Sequence, residues 1–169
     1  IRPPPISTLF PNTTLFRSKQ PAATLWFHPH VIGSTASQVY YGLAGLMIVK
    51  DDVTNSLNLP NSYGINDIPL IIQDRSFNQD GSFDYNSNMM DGAVGDTIIV
   101  NGAITPTLEV KQVKMRFRIV NGANARNFNL MLDNGTEFHQ IASDGGFLEK
   151  PGKTSAMFTC TSSFNGCVQ

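Results

Sequence analysis

The chain has 169 residues, of which 41% are hydrophobic and 15% charged, and its formal net charge is −1. This composition indicates a globular protein rather than a disordered one, with enough residues for one ordinary domain or for parts of two. The near-zero charge gives no electrostatic basis for binding nucleic acid, and no apolar run is long enough to span a bilayer.

The first 18 residues do not match the rest of the chain. Three consecutive prolines begin at Pro3, and the segment after them has neither helical nor strand periodicity. Residues 8–18 resemble the translation of a common sequencing adapter. We therefore interpret residues 1–18 as a non-native, adapter-like leader; the alternative is an ordinary flexible, proline-rich leader.

Two histidines stand one residue apart in the first predicted strand, residues 23–30. His28 and His30 follow the aromatic pair Trp26 and Phe27. Because side chains alternate along a strand, both imidazoles are predicted to share one face of the sheet. Neutral imidazole suits copper, zinc, iron and nickel. The same spacing also fits a coincidental or hydrogen-bonded pair, so by itself it suggests a metal-ligand pair without proving one.

The elements that follow are short strands separated by polar turns. Residues 42–50 form a β-rich run that ends at two aspartates, as the last strand of a domain does. Residues 53–66 are polar and turn-rich, which is typical of a linker. Further strands are predicted over residues 68–74, 96–101, 113–120, 128–132 and 137–143. Strands at intervals of roughly ten residues, with no segment of helical period, indicate an all-β sandwich or barrel.

The clearest alternation of apolar and basic residues lies in residues 113–120. One face consists of Val113, Met115, Phe117 and Ile119, and the other of Lys114, Arg116 and Arg118. This pattern predicts an antiparallel strand with one buried face. We expect the basic face to be solvated rather than to bind nucleic acid.

The pattern of strands stops near Lys153, and residues 154–169 are predicted to be an irregular tail. A shifted reading frame or a truncation near Lys153 explains this change, and a genuine, poorly ordered tail is the alternative. Cys160 and Cys167 lie in this tail. They could close a small disulfide loop, but nothing around them resembles a metal or redox motif.

Several blocks of the sequence stand out together. They are residues 25–30 (LWFHPH), 33–35 (GST), 41–46 (YGLAGL), 67–74 (DIPLIIQD), 118–126 (RIVNGANAR) and 141–146 (IASDGG). In order and spacing they resemble those of bacterial multicopper oxidases, in particular the branch of cuprous oxidases, spore-coat laccases and bilirubin oxidases. The resemblance implies a cupredoxin-like Greek-key β-sandwich, incomplete in this chain and flanked by disordered or artefactual termini.

The resemblance also implies a domain organisation and an activity. Residues 19–52 would be the C-terminal strands of a first cupredoxin domain, residues 53–66 a linker, and residues 67–153 most of a second domain. Family members oxidise a reducing substrate at a type 1 copper and reduce dioxygen to water at a trinuclear copper cluster. Most bacterial members are exported, so a periplasmic or other extracytoplasmic location is implied, although this chain shows no signal peptide.

By the same resemblance, four His-x-His pairs hold the cluster, and His28 with His30 would bind its type 3 coppers. The other pairs and the type 1 ligands are absent from this sequence. We therefore expect the chain alone to be inactive and its parent enzyme to be active. Ile32 stands where many relatives carry a further histidine. That departure bears on hydrogen bonding around the ligands and leaves the number of copper ligands unchanged.

Two other functions remain open. A copper-free relative belonging to the cell-division machinery would keep the sandwiches and lose the ligands, and the presence of His28 and His30 argues against it. A two-domain nitrite reductase fits less well, because residues 26–30 followed by residues 42–45 match the three-domain family better. The reducing substrate cannot be read from this sequence; phenols, diamines, bilirubin-like compounds and Cu(I) are the classes that the family implies.

Other residues of suggestive type are given structural roles. His139, on a predicted strand, is expected to pack or to lie at the surface. Met89 and Met90 could bind Cu(I) as soft ligands, but two adjacent methionines are weak support. Asp74, Asp96 and Asp144 are expected to be turn or strand-end residues.

Overall fold

The computed structural model describes residues 20–86, 92–144 and 146–159, together with the backbone of residues 166–168. Strands make up most of the regular structure in these ranges, which confirms the predicted all-β fold class. The predicted leader, Met89, Met90 and Cys160 lie outside the described residues, as does the side chain of Cys167.

The described elements are nearly all strands, with two short helices near the start of the chain. They are β1 (Ala23–Phe27), α1 (Thr35–Tyr40), β2 (Gly45–Val49), α2 (Asp52–Ser56), β3 (Asp67–Arg75), β4 (Thr97–Val100), β5 (Ala103–Ile104), β6 (Arg116–Asn121), β7 (Phe128–Met131), β8 (Phe138–Ser143), β9 (Gly146–Thr154), β10 (Ala156–Thr159) and β11 (Gly166–Val168).

The described strands form one sheet of seven strands and two sheets of two strands. The large sheet has the order β5–β4–β3–β6–β11–β8–β9. The small sheets are the antiparallel pairs β1–β2 and β7–β10. In the middle of the large sheet, β3 and β6 run parallel with Asp67 opposite Arg116, whereas β6 and β11 run antiparallel.

The main apolar core lies between the large sheet and the β7–β10 pair. Its buried residues are Ile72, Ile119, Ala123, Phe128, Phe138 and Met157. Two sheets that bury their facing side chains in this way form a β-sandwich. The other face of β6 contacts β1, so the β1–β2 pair packs on the side of the sheet opposite to the core.

The prediction for residues 113–120 is wrong in two respects. The strand begins at Arg116 and is parallel to β3 on one side. Of the three basic residues, Lys114 is exposed as expected, but Arg116 and Arg118 are not solvated, since each is only 3% exposed. Because β6 is a central strand with the core on one face and β1 on the other, both faces are covered. Asp67, which is 2% exposed, supplies the negative charge that makes burial of a guanidinium tolerable.

Two short helices occur where the sequence predicted loops. Helix α1 lies between the first two predicted strands, and α2 lies at the start of the predicted linker. With six and five residues, both are too short to show a helical period in the sequence. Asp51 caps α2, because its Oδ1 accepts a hydrogen bond of 2.7 Å from the Thr54 amide. No helix among the described residues has the length and apolar character needed to cross a membrane.

The prediction of an irregular tail is wrong for residues 156–159 and 166–168, which form β10 and β11. Met157 and Thr159 are buried in β10 while Phe158 is exposed. Burial therefore alternates along the strand, but polarity does not, so the strand could not be recognised from alternating polar and apolar residues. Thr159 is accommodated because its hydroxyl donates to the carbonyl of Phe128 at 3.2 Å.

Candidate metal centre

The histidine pair lies directly after β1 rather than within it, because the strand ends at Phe27. The ring centroids of His28 and His30 are 5.9 Å apart and their planes are inclined by 30°. His28 is half-buried and His30 is exposed. The structure thus brings the two predicted ligands side by side, at a separation compatible with one metal ion or two neighbouring ones.

The ring of His28 is oriented by two contacts. Its Nδ1 lies 2.8 Å from the carbonyl oxygen of Pro29. A carbonyl can only accept, so we assign the imidazole proton to Nδ1, which leaves the Nε2 lone pair available to a metal. On its other side, the ring contacts Trp26 with 4.4 Å between centroids. A hydrogen bond that fixes the tautomer in this way is the usual companion of a histidine ligand.

Among the described residues, the two histidines have no further metal ligand beside them. Across the described part of the chain, no group of three or more His, Cys, Asp or Glu side chains is arranged to hold a metal ion. The chain has three histidines, and the third, His139, is half-buried on β8 opposite Lys153. Ile32, which follows the pair, is 98% exposed.

The start of β1 is held by Asp51. Its Oδ2 accepts a hydrogen bond of 3.0 Å from the Ala22 amide, while Oδ1 accepts from the amide and hydroxyl of Thr54. These hydrogen bonds, with that from the Thr54 amide foremost, lower the pKa of Asp51. One carboxylate thereby ties the N-terminus of α2 to the residue that precedes the strand.

Thr24, the second residue of β1, is held by a buried ion pair. We call this contact the first junction (Asp67, Arg118 and Thr24). Arg118 donates from Nε and Nη2 to the two oxygens of Asp67 at 2.7 and 2.9 Å. Its Nη1 donates to the Thr24 hydroxyl at 2.7 Å. All three side chains are at most 4% exposed. This contact could not be predicted from local sequence, since Thr24 and Arg118 are 94 residues apart.

A second junction (Asp74, Arg75 and the C-terminal end of α1) joins α1 to the far end of β3. Arg75 donates from Nη2 to the Val39 carbonyl at 3.1 Å, and its guanidinium carbon lies 4.5 Å from the centre of the Tyr40 ring. Burial lowers the pKa of Arg75. The Tyr40 hydroxyl donates to the carbonyl of Asp84 at 2.8 Å, which attaches the helix to the adjoining loop as well.

Asp74 is a structural anchor rather than a simple strand-end residue. It is 1% exposed, and its Oδ2 accepts from the Gly95 amide and from Nε of Arg126, both at 2.8 Å. The expected terminal role fits Asp96 better, which is exposed and accepts from the hydroxyl of Thr97 at the start of β4. Asp144 follows the last residue of β8.

Comparison with known proteins places this geometry in a family. The multicopper oxidase family model matches residues 4–54, which include both histidines. The multicopper oxidase mco of Staphylococcus aureus is 49% identical over 142 residues, covering 84% of this chain and 31% of that protein. The chain belongs to the multicopper oxidase family.

The solved structures agree with this assignment and with the cupredoxin-like fold that was predicted. The laccase from Pediococcus acidilactici superposes with a TM-score of 0.85 at 39% identity, over 90% of this chain and 33% of that one. The cell division protein FtsP of Escherichia coli is also similar, at 44% identity over 79% of this chain and 28% of that protein. The chain thus spans about a third of the length of the multicopper oxidases it matches.

Proposed function

We propose that this chain supplies His28 and His30 as two copper ligands of a multicopper oxidase. Such an enzyme couples one-electron oxidation of a reducing substrate to four-electron reduction of dioxygen to water. The observation that carries the proposal is the geometry of the pair. The rings lie 5.9 Å apart, and the hydrogen bond from His28 Nδ1 to Pro29 leaves Nε2 free for a metal. Assignment of the pair to the type 3 coppers rests on the family resemblance.

The chemistry of these donors suits copper. Neutral imidazole binds copper in both of its oxidation states, and copper is the cofactor of the family to which the chain belongs. Copper held here would supply one-electron redox chemistry. The part of the chain is to hold two ligands at a set separation and, through Pro29, to keep His28 in the tautomer that a metal requires.

The division into domains is also a proposal. Residues 19–52 are assigned to a first cupredoxin domain, residues 53–66 to a linker and residues 67–153 to a second domain. In its support, β1 and β2 pair only with each other among the described strands, while β3 opens the seven-stranded sheet. Strands β10 and β11 extend the sheets of the second unit beyond residue 153.

Two imidazoles do not make a trinuclear cluster, so the remaining ligands must be presented to the pair by residues outside this chain. Three apolar side chains beside the pair are exposed: Phe27 at 60%, Val31 at 55% and Ile32 at 98%. Neighbouring apolar groups at a surface are typical of a site that another protein surface covers. We expect the isolated chain to bind copper weakly and to have no oxidase activity.

The proposal is tested first by titrating Cu(II) into the 169-residue chain. Electron paramagnetic resonance should show nitrogen ligands, and His28→Ala or His30→Ala should abolish this signal. His139→Ala is the matched control, because it removes the remaining histidine from β8 and should leave the signal intact. Retention of the signal in both variants of the pair would contradict the assignment.

A second test uses the full-length parent enzyme. His28→Ala and His30→Ala should abolish oxidation of phenols or diamines under air, while His139→Ala should keep it. Turnover by the isolated chain would contradict the expectation that two ligands are insufficient. Among reducing substrates we propose phenols, diamines, bilirubin-like compounds and Cu(I), and we propose an extracytoplasmic location, which cell fractionation would test.

The alternative is a copper-free structural protein of the same superfamily. Its support is the 44% identity to the cell division protein FtsP. A full-length protein that takes up no copper, oxidises none of these substrates and is needed for division would favour this alternative. The presence of both histidines favours the oxidase.

A further inference from the structure

We infer that the first junction positions the copper pair: Asp67 and Arg118, on two strands of the large sheet, set the placement of β1 through Thr24 and so orient His28. This inference rests on the proposed function, because it treats His28 as a metal ligand. Thr24, Arg118 and Asp67 are positioning residues and touch neither the metal nor the substrate.

The first step of the argument is the rigidity of the ion pair. The two oxygens of Asp67 face Nε and Nη2 of Arg118 in a side-on, two-bond arrangement, and both side chains are at most 3% exposed. Paired hydrogen bonds between a planar guanidinium and a carboxylate fix direction as well as distance. The residues stand on neighbouring parallel strands, so the sheet itself sets their separation.

The second step leads from the ion pair to β1. The remaining Arg118 nitrogen, Nη1, donates to the Thr24 hydroxyl at 2.7 Å, and Thr24 is 4% exposed. An unmatched buried donor is costly, so Arg118 favours the position of β1 that keeps this oxygen in place. The hydrogen bond therefore sets the height of β1 above the sheet and its shift along it.

The third step leads along β1 to the metal ligand. Thr24 and Trp26 are two residues apart on an extended strand, so they share a face. The ring of Trp26 contacts the ring of His28, with 4.4 Å between centroids. A displacement at Thr24 thus reaches His28 through the strand and one aromatic contact. Another anchor of β1, the hydrogen bond from the Ala22 amide to Asp51, holds the start of the strand, and β1 also pairs with β2 and contacts β9.

The test compares four forms of the 169-residue chain: the wild type, Thr24→Val, Thr24→Ser and Thr159→Val. Valine keeps the branched shape and removes the acceptor, while serine keeps the hydroxyl oxygen. Thr159→Val is the matched control, because Thr159 is also a buried strand threonine with a hydrogen bond, but it lies on β10 and bonds Phe128. Thermal unfolding of each form shows how far stability alone has changed.

Two readouts report on the pair itself. In the absence of copper, nitrogen-detected nuclear magnetic resonance measures the Nδ1–H tautomer of His28. With Cu(II) alone as the probe, paramagnetic resonance and a titration measure the ligand geometry and the affinity. We expect Thr24→Val to weaken Cu(II) binding by about tenfold, the low end of the range for residues that orient metal ligands, and to lower the Nδ1–H population of His28. Thr24→Ser and Thr159→Val should keep both properties of the wild type.

Each other result overturns the inference. If Thr24→Val and Thr159→Val change the readouts equally, the effect is general destabilisation. If Thr24→Ser behaves like Thr24→Val, packing of the methyl group is responsible rather than the hydrogen bond. If Thr24→Val resembles the wild type, no positioning occurs. These results are separate from failure of the proposed function, which would appear as a copper signal that survives both His28→Ala and His30→Ala.

Discussion

The two junctions that join the N-terminal elements to the large sheet both contain an aspartate and an arginine, but they use them differently. In the first junction, Arg118 donates from Nε and Nη2 to Asp67 and from Nη1 to Thr24. In the second junction, Arg75 reaches α1 through the backbone carbonyl of Val39. Within the described residues, Oδ1 of Asp74 and Nε of Arg75 are buried without a hydrogen-bond partner.

The difference shows two ways of attaching an element to a sheet. The contact to the Val39 carbonyl does not depend on the identity of that side chain, although the Tyr40 ring adds a side-chain contact to Arg75, and this junction leaves two polar atoms unmatched. A contact between side chains that are fully matched holds one strand in one register, and it depends on the identity of each partner. The matched side-chain contact is that of the first junction, which supports the strand leading to the histidine pair, where precise placement matters most.

The largest expected effect is that of Asp67→Ala, which breaks the first junction. It leaves the Arg118 guanidinium buried without its counter-charge, and such changes cost about 3–5 kcal/mol. Urea denaturation measures the loss in the free energy of unfolding. Asp96→Ala is the control, because this exposed carboxylate should matter by no more than about 0.5 kcal/mol. A loss below about 1 kcal/mol for Asp67→Ala would show that water solvates the Arg118 guanidinium in place of the carboxylate.

Next in size is Gly95→Ala, which disturbs the second junction. A Cβ added at Gly95 would lie 2.3 Å from the carbonyl carbon of Arg75 and 2.4 Å from its nitrogen. Backbone cannot yield as a side chain can, so we expect a loss of about 3 kcal/mol, the upper part of the range for overpacking. Thermal or urea denaturation measures it.

The control for this substitution is Gly152→Ala, where an added Cβ meets nothing within 4 Å. It should leave stability unchanged or raise it slightly, because alanine loses less conformational entropy on folding. Equal losses in the two variants would mean that the close approach of Gly95 to Arg75 is not what matters.

A smaller effect, dependent on pH, is expected for Asp51→Asn. Hydrogen bonds lower the pKa of Asp51 from its ordinary value of 3.8 in the folded chain. The folded state therefore binds protons less readily, and the carboxylate contributes stability at pH values above 3.8 that is lost as the pH falls through the lowered pKa. The variant should melt below the wild type at neutral pH, and the difference should shrink in acid.

The exposed Asp133 provides the control for this pH series. Asp133→Asn should give a melting temperature close to that of the wild type across the same range. A difference between Asp51→Asn and the wild type that stays constant with pH would show that the charge of Asp51 does not anchor β1.

The smallest effect is expected for Lys153→Met, which removes the ion pair with Glu137. The two side chains are 60% and 49% exposed. Pairs in water contribute about 0–1 kcal/mol, so the unfolding free energy should hardly change. Comparison with Asp67→Ala then separates the effect of burial from that of charge pairing. A loss as large as that of Asp67→Ala would remove the distinction between them.

Most strands could be predicted from the sequence, because local apolar patterns reflect local burial. Residues 68–74 and 96–101 correspond closely to β3 and β4. The pattern fails where both faces of a strand are covered. Arg116 and Arg118 alternate with apolar residues as they would on a solvated face, and partners distant in the sequence, above all Asp67, make their burial favourable.

The candidate site was predictable in part for the same reason. The spacing of His28 and His30 is local, so the sequence indicated that both rings would lie together. The support for β1 is not local, since Thr24 in this strand bonds Arg118, which is 94 residues away, and neither residue is of an unusual type. The attachment of α1 is equally non-local, because the Tyr40 hydroxyl donates a hydrogen bond to the carbonyl of Asp84, which is 44 residues away.

The parallel pairing of β3 with β6 has a consequence for how the chain folds. Asp67 and Arg118 are separated by 51 residues, so a long loop must close before they meet, and such pairings are slow to form. The β1–β2 pair closes a shorter loop, with Thr24 opposite Ile48, and can form earlier. We therefore expect β1 to exist before its support does, so that the histidine pair reaches its final geometry only in the last stage of folding.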